Sequence, residues 1–300
     1  MDQKKDASSI ALAAFFVVLG IWLISVAFVG VPLALVISGF LIGDEASNQD
    51  VWIILAFIVV PWTLAGPLFL TGFADRHWWQ KRNGCREMDE LERARLVPLW
   101  NEVCQRAGLS PDAYRLVMTS QTTVNAFATG DSMVSIDQGM LGSLGDPEIK
   151  AVMAHELGHH TKRHIGAIVL GWWYGRPAEI VLNLLIALIV ILIAVGREGC
   201  GCIGTLVLAG LFLFLAGPAM VLYLMLGGTI LLMRIIGRRT EFEADDYARD
   251  LGMGREMSSS LVLVKQAYPE VDPENETFLD RLMRTHPTLD DRIARLAQAS

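Results

Sequence analysis

DPEIKAVMAHELGHHTKRH, residues 146–164, carries His155-Glu156-Leu157-Gly158-His159, an H-E-x-x-H pattern. Asp146 suits a helix N-cap and Pro147 a first helical position, so the stretch reads as a helix with a defined start. Residues four apart share a helix face, so His155 and His159 present ring nitrogens to one ion. Glu156 lies beside that face, within reach of a water held there without being a ligand itself. The pattern is that of a zinc hydrolase with the glutamate as general base, and it predicts a metallopeptidase. Coincidence on an ordinary amphipathic helix is disfavoured by the scarcity of histidine, six in 300 residues.

Outward from this helix the chain is apolar. Hydrophobic residues make up 53% and charged residues only 19%, which is too apolar for one soluble domain and predicts an integral membrane protein with about half its length in a polar domain. The net charge of −7 leaves no basic face for nucleic acid. Cys85, Cys104, Cys200 and Cys202 have neither a disulfide framework nor zinc-knuckle spacing, and are expected as free thiols. The run after Lys4 and Lys5 is too long for a signal peptide and reads as an uncleaved anchor.

Taken in order, residues 1–73 form a membrane hairpin with spans at 10–42 and 51–73. The first span is taken as one long helix; Pro61 and Gly66-Pro67 mark kinks in the second. Arg76, Trp78, Trp79, Lys81, Arg82 and Arg86 then mark a cytoplasmic interface. Residues 74–165 are the first part of a cytosolic domain: a helix from Met88 to Ala107 interrupted at Pro98, short strands at 114–119, 123–128 and 133–136, and the H-E-x-x-H helix. An edge strand near such a helix adds an extended peptide by backbone pairing, and Asn125-Ala126-Phe127 is the candidate, plain sheet being its bland alternative. Residues 166–237 form a second hairpin with spans at 178–195 and 203–226, broken at Arg176-Pro177, Gly217-Pro218 and Gly227-Gly228. Residues 238–300 return to the cytosolic side and end in short helices around a loop at 269–276.

Directly after the fourth span comes Glu241-Phe242-Glu243-Ala244-Asp245. If that span continues as a helix, Glu241 and Asp245 share a face. Two histidines and Glu241 leave a fourth position open on a zinc ion, as a catalytic site requires, and Asp245 accepts the outer N–H of a ligand histidine. The bland alternative is a solvated acidic helix.

These motifs resemble the membrane zinc peptidases that include HtpX and the type I CAAX prenyl endopeptidases. The resemblance rests on PEIKAVMAHELGHH, EFEAD, VNAFATG and THPTLDDRI, in the family's order and with membrane spans between the metal and acidic motifs. It implies His155, His159 and Glu241 as ligands of one zinc ion, Glu156 as base and Asp245 as support. It places Asn125 and Ala126 on the strand that pairs with substrate. His286 and Arg292 are implied near the cleft, steadying the oxyanion or the fold around it. The continuation HHTKRH departs from the Gly-Asp pairing common in bacterial HtpX proteins, and His164 is similar to the continuation in prenyl-protease relatives.

The expected architecture is a mostly α integral membrane protein with about four transmembrane helices and a cytosolic α+β zincin-like protease domain carrying a small β-sheet. The expected function is zinc-dependent cleavage of membrane or misfolded proteins at the cytoplasmic face of a bacterial inner membrane, with both termini cytoplasmic. Its partners are polypeptide substrates and the lipid bilayer, with no nucleic acid. The rival readings are prenyl-type processing with narrow specificity and a non-proteolytic zinc-binding scaffold.

Overall fold

The computed structural model describes residues 2–130, 132–162, 164–197, 202–268 and 286–298. Of the short outer loop expected at 197–202, residues 198–201 lie outside the described residues, as does the loop expected at 269–276. The chain divides into two compact units, one of Phe15–Gly66 and Leu170–Leu232, the other of Met1–Ala14, Pro67–Val169 and Met233–Ser300.

The first unit is built from apolar helices. Among the described residues, four stretches are long and apolar enough to cross a membrane: Ile10–Leu41, Asn48–Leu70, His164–Gly196 and a part of Gly204–Ala267. The first is not one regular helix. α1 (Asp2–Ser25) widens into a single π-helical turn, Val26–Gly30, before α2 (Val31–Leu41). Pro32 explains the widening, because its ring collides with the carbonyl four residues back in a regular helix.

α3 (Asn48–Ala65) starts at a Ser47–Asp50 capping box and stops at Gly66-Pro67. Gly66 turns its N–H to the Thr63 carbonyl, which strips the Trp62 carbonyl of its helical partner, and Pro67 has no N–H to offer. In hydrocarbon every such group needs a donor. Trp173 Nε1 donates to the Trp62 carbonyl at 3.0 Å and the Tyr174 hydroxyl to the Thr63 carbonyl at 2.8 Å. Gly66 permits this approach, since a Cβ there would lie 2.5 Å from the Tyr174 oxygen.

Trp173 and Tyr174 belong to α7 (His164–Arg197), which is followed by α8 (Cys202–Ala248). The breaks expected at Arg176-Pro177, Gly217-Pro218 and Gly227-Gly228 are absent; both helices run through them. Breaking a helix in an apolar setting strands several backbone groups, whereas an internal proline forfeits one hydrogen bond. Arg176 is accommodated by Glu179 at 2.6 Å and by the Trp172 ring beneath it. Ile24, Ala178, Leu182, Ala219 and Leu222 form the buried centre of this unit.

The second unit holds the sheet, in the order β1-β2-β4-β3, from β1 (Cys85–Arg86), β2 (Arg115–Thr119), β3 (Ala126–Thr129) and β4 (Met133–Asp137). β2 and β4 are parallel and the other pairs antiparallel; β3, last in the order, is an edge strand. β3 starts later than expected because Thr123 is tied by its hydroxyl to Asp137 and the Val124 N–H donates to the Tyr268 hydroxyl. Two-residue β1 carries no periodic signal and escaped the sequence.

α4 (Glu90–Arg106) runs straight through Pro98. It begins at a capping box in which Asp89 accepts the Glu92 N–H and Glu92 accepts the Asp89 N–H, while Arg86 grips both Glu92 oxygens. Asp89→Ala removes one half of this cap, and a loss of about 1 kcal/mol is expected, read as a lowered thermal midpoint in detergent.

Next come α5 (Gln138–Ser143), α6 (Asp146–Thr161), α9 (Gly254–Ala267) and α10 (Leu289–Gln298). α6 is capped by Gly145, not Asp146. The Asp146 carboxylate is taken by Arg95 at 2.8 Å, so it sits in the first turn as a charge favoured by the helix dipole. Leu96, Val103, Met118, Ile136, Ile149, Met153, Leu157 and Leu296 join these elements in one core.

Candidate metal centre

Gly158 lets α6 and α8 meet. A methyl there would lie 3.1 Å from Tyr247 Cβ and 3.2 Å from Ala244 Cα, a contact tighter than ordinary van der Waals packing, so glycine lets the two helices approach this closely. This contact brings the acidic face of α8 against the histidine face of α6. His155 Nε2 lies 3.5 Å from Glu241 Oε2, and His159 Nε2 lies 3.6 Å from Glu241 Oε1. The three donor atoms lie within 4.8 Å of one another. Zinc takes imidazole and carboxylate ligands at about 2.0–2.2 Å, which sets tetrahedral neighbours about 3.3–3.6 Å apart. Two imidazole nitrogens and one carboxylate grouped within 4.8 Å suit a zinc ion in donor type, and three such donors would leave its fourth position for water.

Both rings are held from behind. His155 Nδ1 is 2.9 Å from Asp245 Oδ1. Asp245 is fully buried and is clamped by Arg292, with Nε 2.8 Å from Oδ2 and Nη2 2.6 Å from Oδ1. Arg292 Nη1 also reaches Glu241 Oε2 at 3.0 Å, and His286 Nδ1 lies 3.0 Å from Glu241 Oε1. Behind His159 stands a second ring: His159 Nδ1 faces His164 Nδ1 at 3.2 Å, and His164 Nε2 lies 2.9 Å from Glu243 Oε2.

Glu156 is turned towards the sheet, where its Oε2 accepts the Ala128 N–H at 2.8 Å. The Asn125 carbonyl accepts the Asp137 N–H, so alternate residues from Asn125 onward pair with β4 and the main chain of Ala126 and Ala128 faces the open edge. The base therefore bonds the outer edge of β3, which pairs with no further strand among the described residues.

The electrostatics favour positive charge here. Burial alone disfavours a charged His155, but the Asp245 and Glu241 carboxylates outweigh it and push the ring up to about 10. Glu241 likewise raises His286 above the usual histidine range.

Among the residues singled out from sequence, His155, His159, Glu241, Asp245, His286 and Arg292 are linked by direct contacts. Glu156 reaches the strand that begins at Ala126, whereas the carbonyl of Asn125 is spent on β4. Sequence reasoning missed Ala128, His164 as a partner of His159, and Glu243. The last was visible only as one acid in a cluster.

Residues 90–300 match the family model described as peptidase family M48. The chain belongs to peptidase family M48. The match includes every residue of the centre described above. Protease HtpX of Legionella pneumophila (strain Corby) is 28% identical over 219 residues, 65% of this chain and 73% of the relative. A protease HtpX homolog of Pelotomaculum thermopropionicum is 26% identical over 230 residues, 70% of this chain and 78% of the relative. One from Neisseria meningitidis serogroup B is 31% identical over 188 residues, 57% and 61% of the two chains. Among solved structures, S. mikatae Ste24p is similar with a TM-score of 0.48 and 20% identity, covering 83% of this chain and 59% of that one. This M48 protein is thus a membrane metalloendopeptidase, and the M48 peptidases are zinc enzymes.

Proposed function

We propose that this M48 peptidase degrades membrane or misfolded proteins at the cytoplasmic membrane surface, in protein quality control. The observation that carries the reading is the open edge of β3 beside Glu156. An edge strand binds through main-chain groups, so it accepts any extended segment and reads side chains only weakly. That favours unfolded polypeptides over one dedicated tail. The surface location is supported by chain order: α7 begins at His164, just beyond His159, and α8 carries Glu241 on the helix that holds the fourth apolar stretch. Arg76, Lys81, Arg82, Arg234, Arg238 and Arg239 flank the apolar stretches, the pattern of a cytoplasmic side.

His155, His159 and Glu241 would hold one zinc ion per chain. Bound there, zinc supplies Lewis-acid polarisation of the scissile carbonyl and acidifies a water. Glu156 takes the proton of the attacking water and returns it to the leaving amine. Asp245 keeps the His155 proton on Nδ1, and Arg292 holds Asp245 in place. His286 in its protonated form, which Glu241 favours, donates Nδ1–H to Glu241 and offers Nε2–H to the developing oxyanion. The outward main chain of Ala126 pairs with the substrate strand.

The test is cleavage of unfolded casein in detergent by protein treated with a chelator and then resupplied with zinc. Chelation is expected to abolish cleavage and zinc to restore it. Cleavage of a prenylated C-terminal peptide alone, with casein untouched, would overturn the quality-control reading.

A further inference from the structure

The two candidate ligand histidines are supported differently. His155 rests directly on the carboxylate of Asp245, whereas His159 rests on another imidazole. We propose that His164 and Glu243 are positioning residues that fix the proton of His159 through an imidazole–imidazole–carboxylate relay. The proposal rests on the zinc site described above.

The geometry leaves one arrangement of protons. His159 Nε2 is the nitrogen that faces Glu241 and His155, so its lone pair must stay free for the ion. A neutral His159 then carries its proton on Nδ1, 3.2 Å from His164 Nδ1. Two N–H groups cannot point at each other at that distance, so His164 Nδ1 must be an acceptor and its own proton lies on Nε2. There Glu243 waits, with Oε2 at 2.9 Å. The carboxylate thus fixes the tautomer of His164, and His164 fixes the tautomer of His159.

The relay is sheltered. His164 is 8% exposed and Glu243 is half-buried, so water competes poorly for either contact. Its parts come from three elements: His159 from α6, His164 from the first residue of α7, and Glu243 from α8. All three candidate ligands lie on α6 and α8, and none belongs to the pair His164 and Glu243, so losing that pair alone leaves the donor set intact. Outer partners of metal-bound histidines typically contribute about 10–100-fold to metal affinity.

Zinc affinity by chelator competition in detergent tests this, with wild type, His164→Leu, His164→Asn, Glu243→Leu and Glu243→Gln compared. Leucine fills the space of His164 without an acceptor, whereas the asparagine oxygen stands where Nδ1 stood. His164→Leu is expected to weaken zinc binding about 10–100-fold, with His164→Asn restored to near wild type. Glu243→Leu follows His164→Leu, and Glu243→Gln, which still accepts the Nε2 proton, stays near wild type. Wild-type zinc affinity in both leucine variants would overturn the relay, as would equal losses in the leucine and asparagine variants of His164. If His164→Leu does not fold, the Glu243 pair carries the same contrast. Failure of wild type to bind zinc would instead sink the metal-site reading on which the relay rests.

Discussion

Glu156→Gln is expected to bind zinc as wild type does while cleaving unfolded casein about 10²–10⁴-fold more slowly, the range for loss of a general acid–base. Glutamine keeps the shape of the side chain and an oxygen that accepts the Ala128 N–H, so the contact with the strand edge survives. It lacks a group that takes the water's proton at neutral pH. Glu156 is not one of the three donor atoms grouped at the centre, so the metal is retained. Steady-state cleavage with zinc quantified in the same samples measures both effects. Equal activity in the two proteins would remove Glu156 from the chemistry, and loss of zinc from the variant would make it a ligand.

The second large effect is on stability. Arg292→Met is expected to destabilise the protein by about 3–5 kcal/mol, the cost of leaving a buried charge without its partner. Arg292 is the cation that Asp245 and Glu241 share, and all three side chains are buried. Methionine fills the space of the Arg292 stem but leaves the fully buried Asp245 with His155 as its remaining partner among the described residues. Arg292→Lys recovers only part of the loss, because one ammonium cannot form the fork that grips both Asp245 oxygens while a third nitrogen reaches Glu241. Thermal unfolding in detergent with chelator present checks this without zinc masking the difference. A shift too small to resolve would mean that Asp245 finds another partner.

Much of the centre was legible because its signals are periodic. His155 and His159 stand one helical turn apart, as do Glu241 and Asp245; Pro147 marks the start of the first helix, and a long apolar run leads into the second pair. The existence of the spans followed from composition for the same reason. Their interruptions did not, because Pro177 and Pro218 act on single hydrogen bonds whereas the surrounding apolar helix preserves all the others. Helix starts were blurred by a residue: Asp146 is a good cap by type, but Arg95, far off in sequence, claims its carboxylate.

The relay partner His164 was hidden for a different reason. It lies five positions after His159, but α6 ends at Thr161 and α7 starts at His164, so helical spacing says nothing about the pair. Only the tertiary fold brings the rings together. Ala128 was hidden because a main-chain N–H has no sequence signature; the register of β3 on β4 decides that it faces outward.

The most direct test of the account is the zinc X-ray absorption spectrum of the purified protein, with metal content measured alongside. One zinc per chain with two imidazole nitrogens and a carboxylate oxygen in its shell, lost when Glu241 or either ligand histidine is replaced, is the predicted result. A folded protein without zinc, or a zinc shell unchanged by replacing His155, His159 and Glu241, would contradict it.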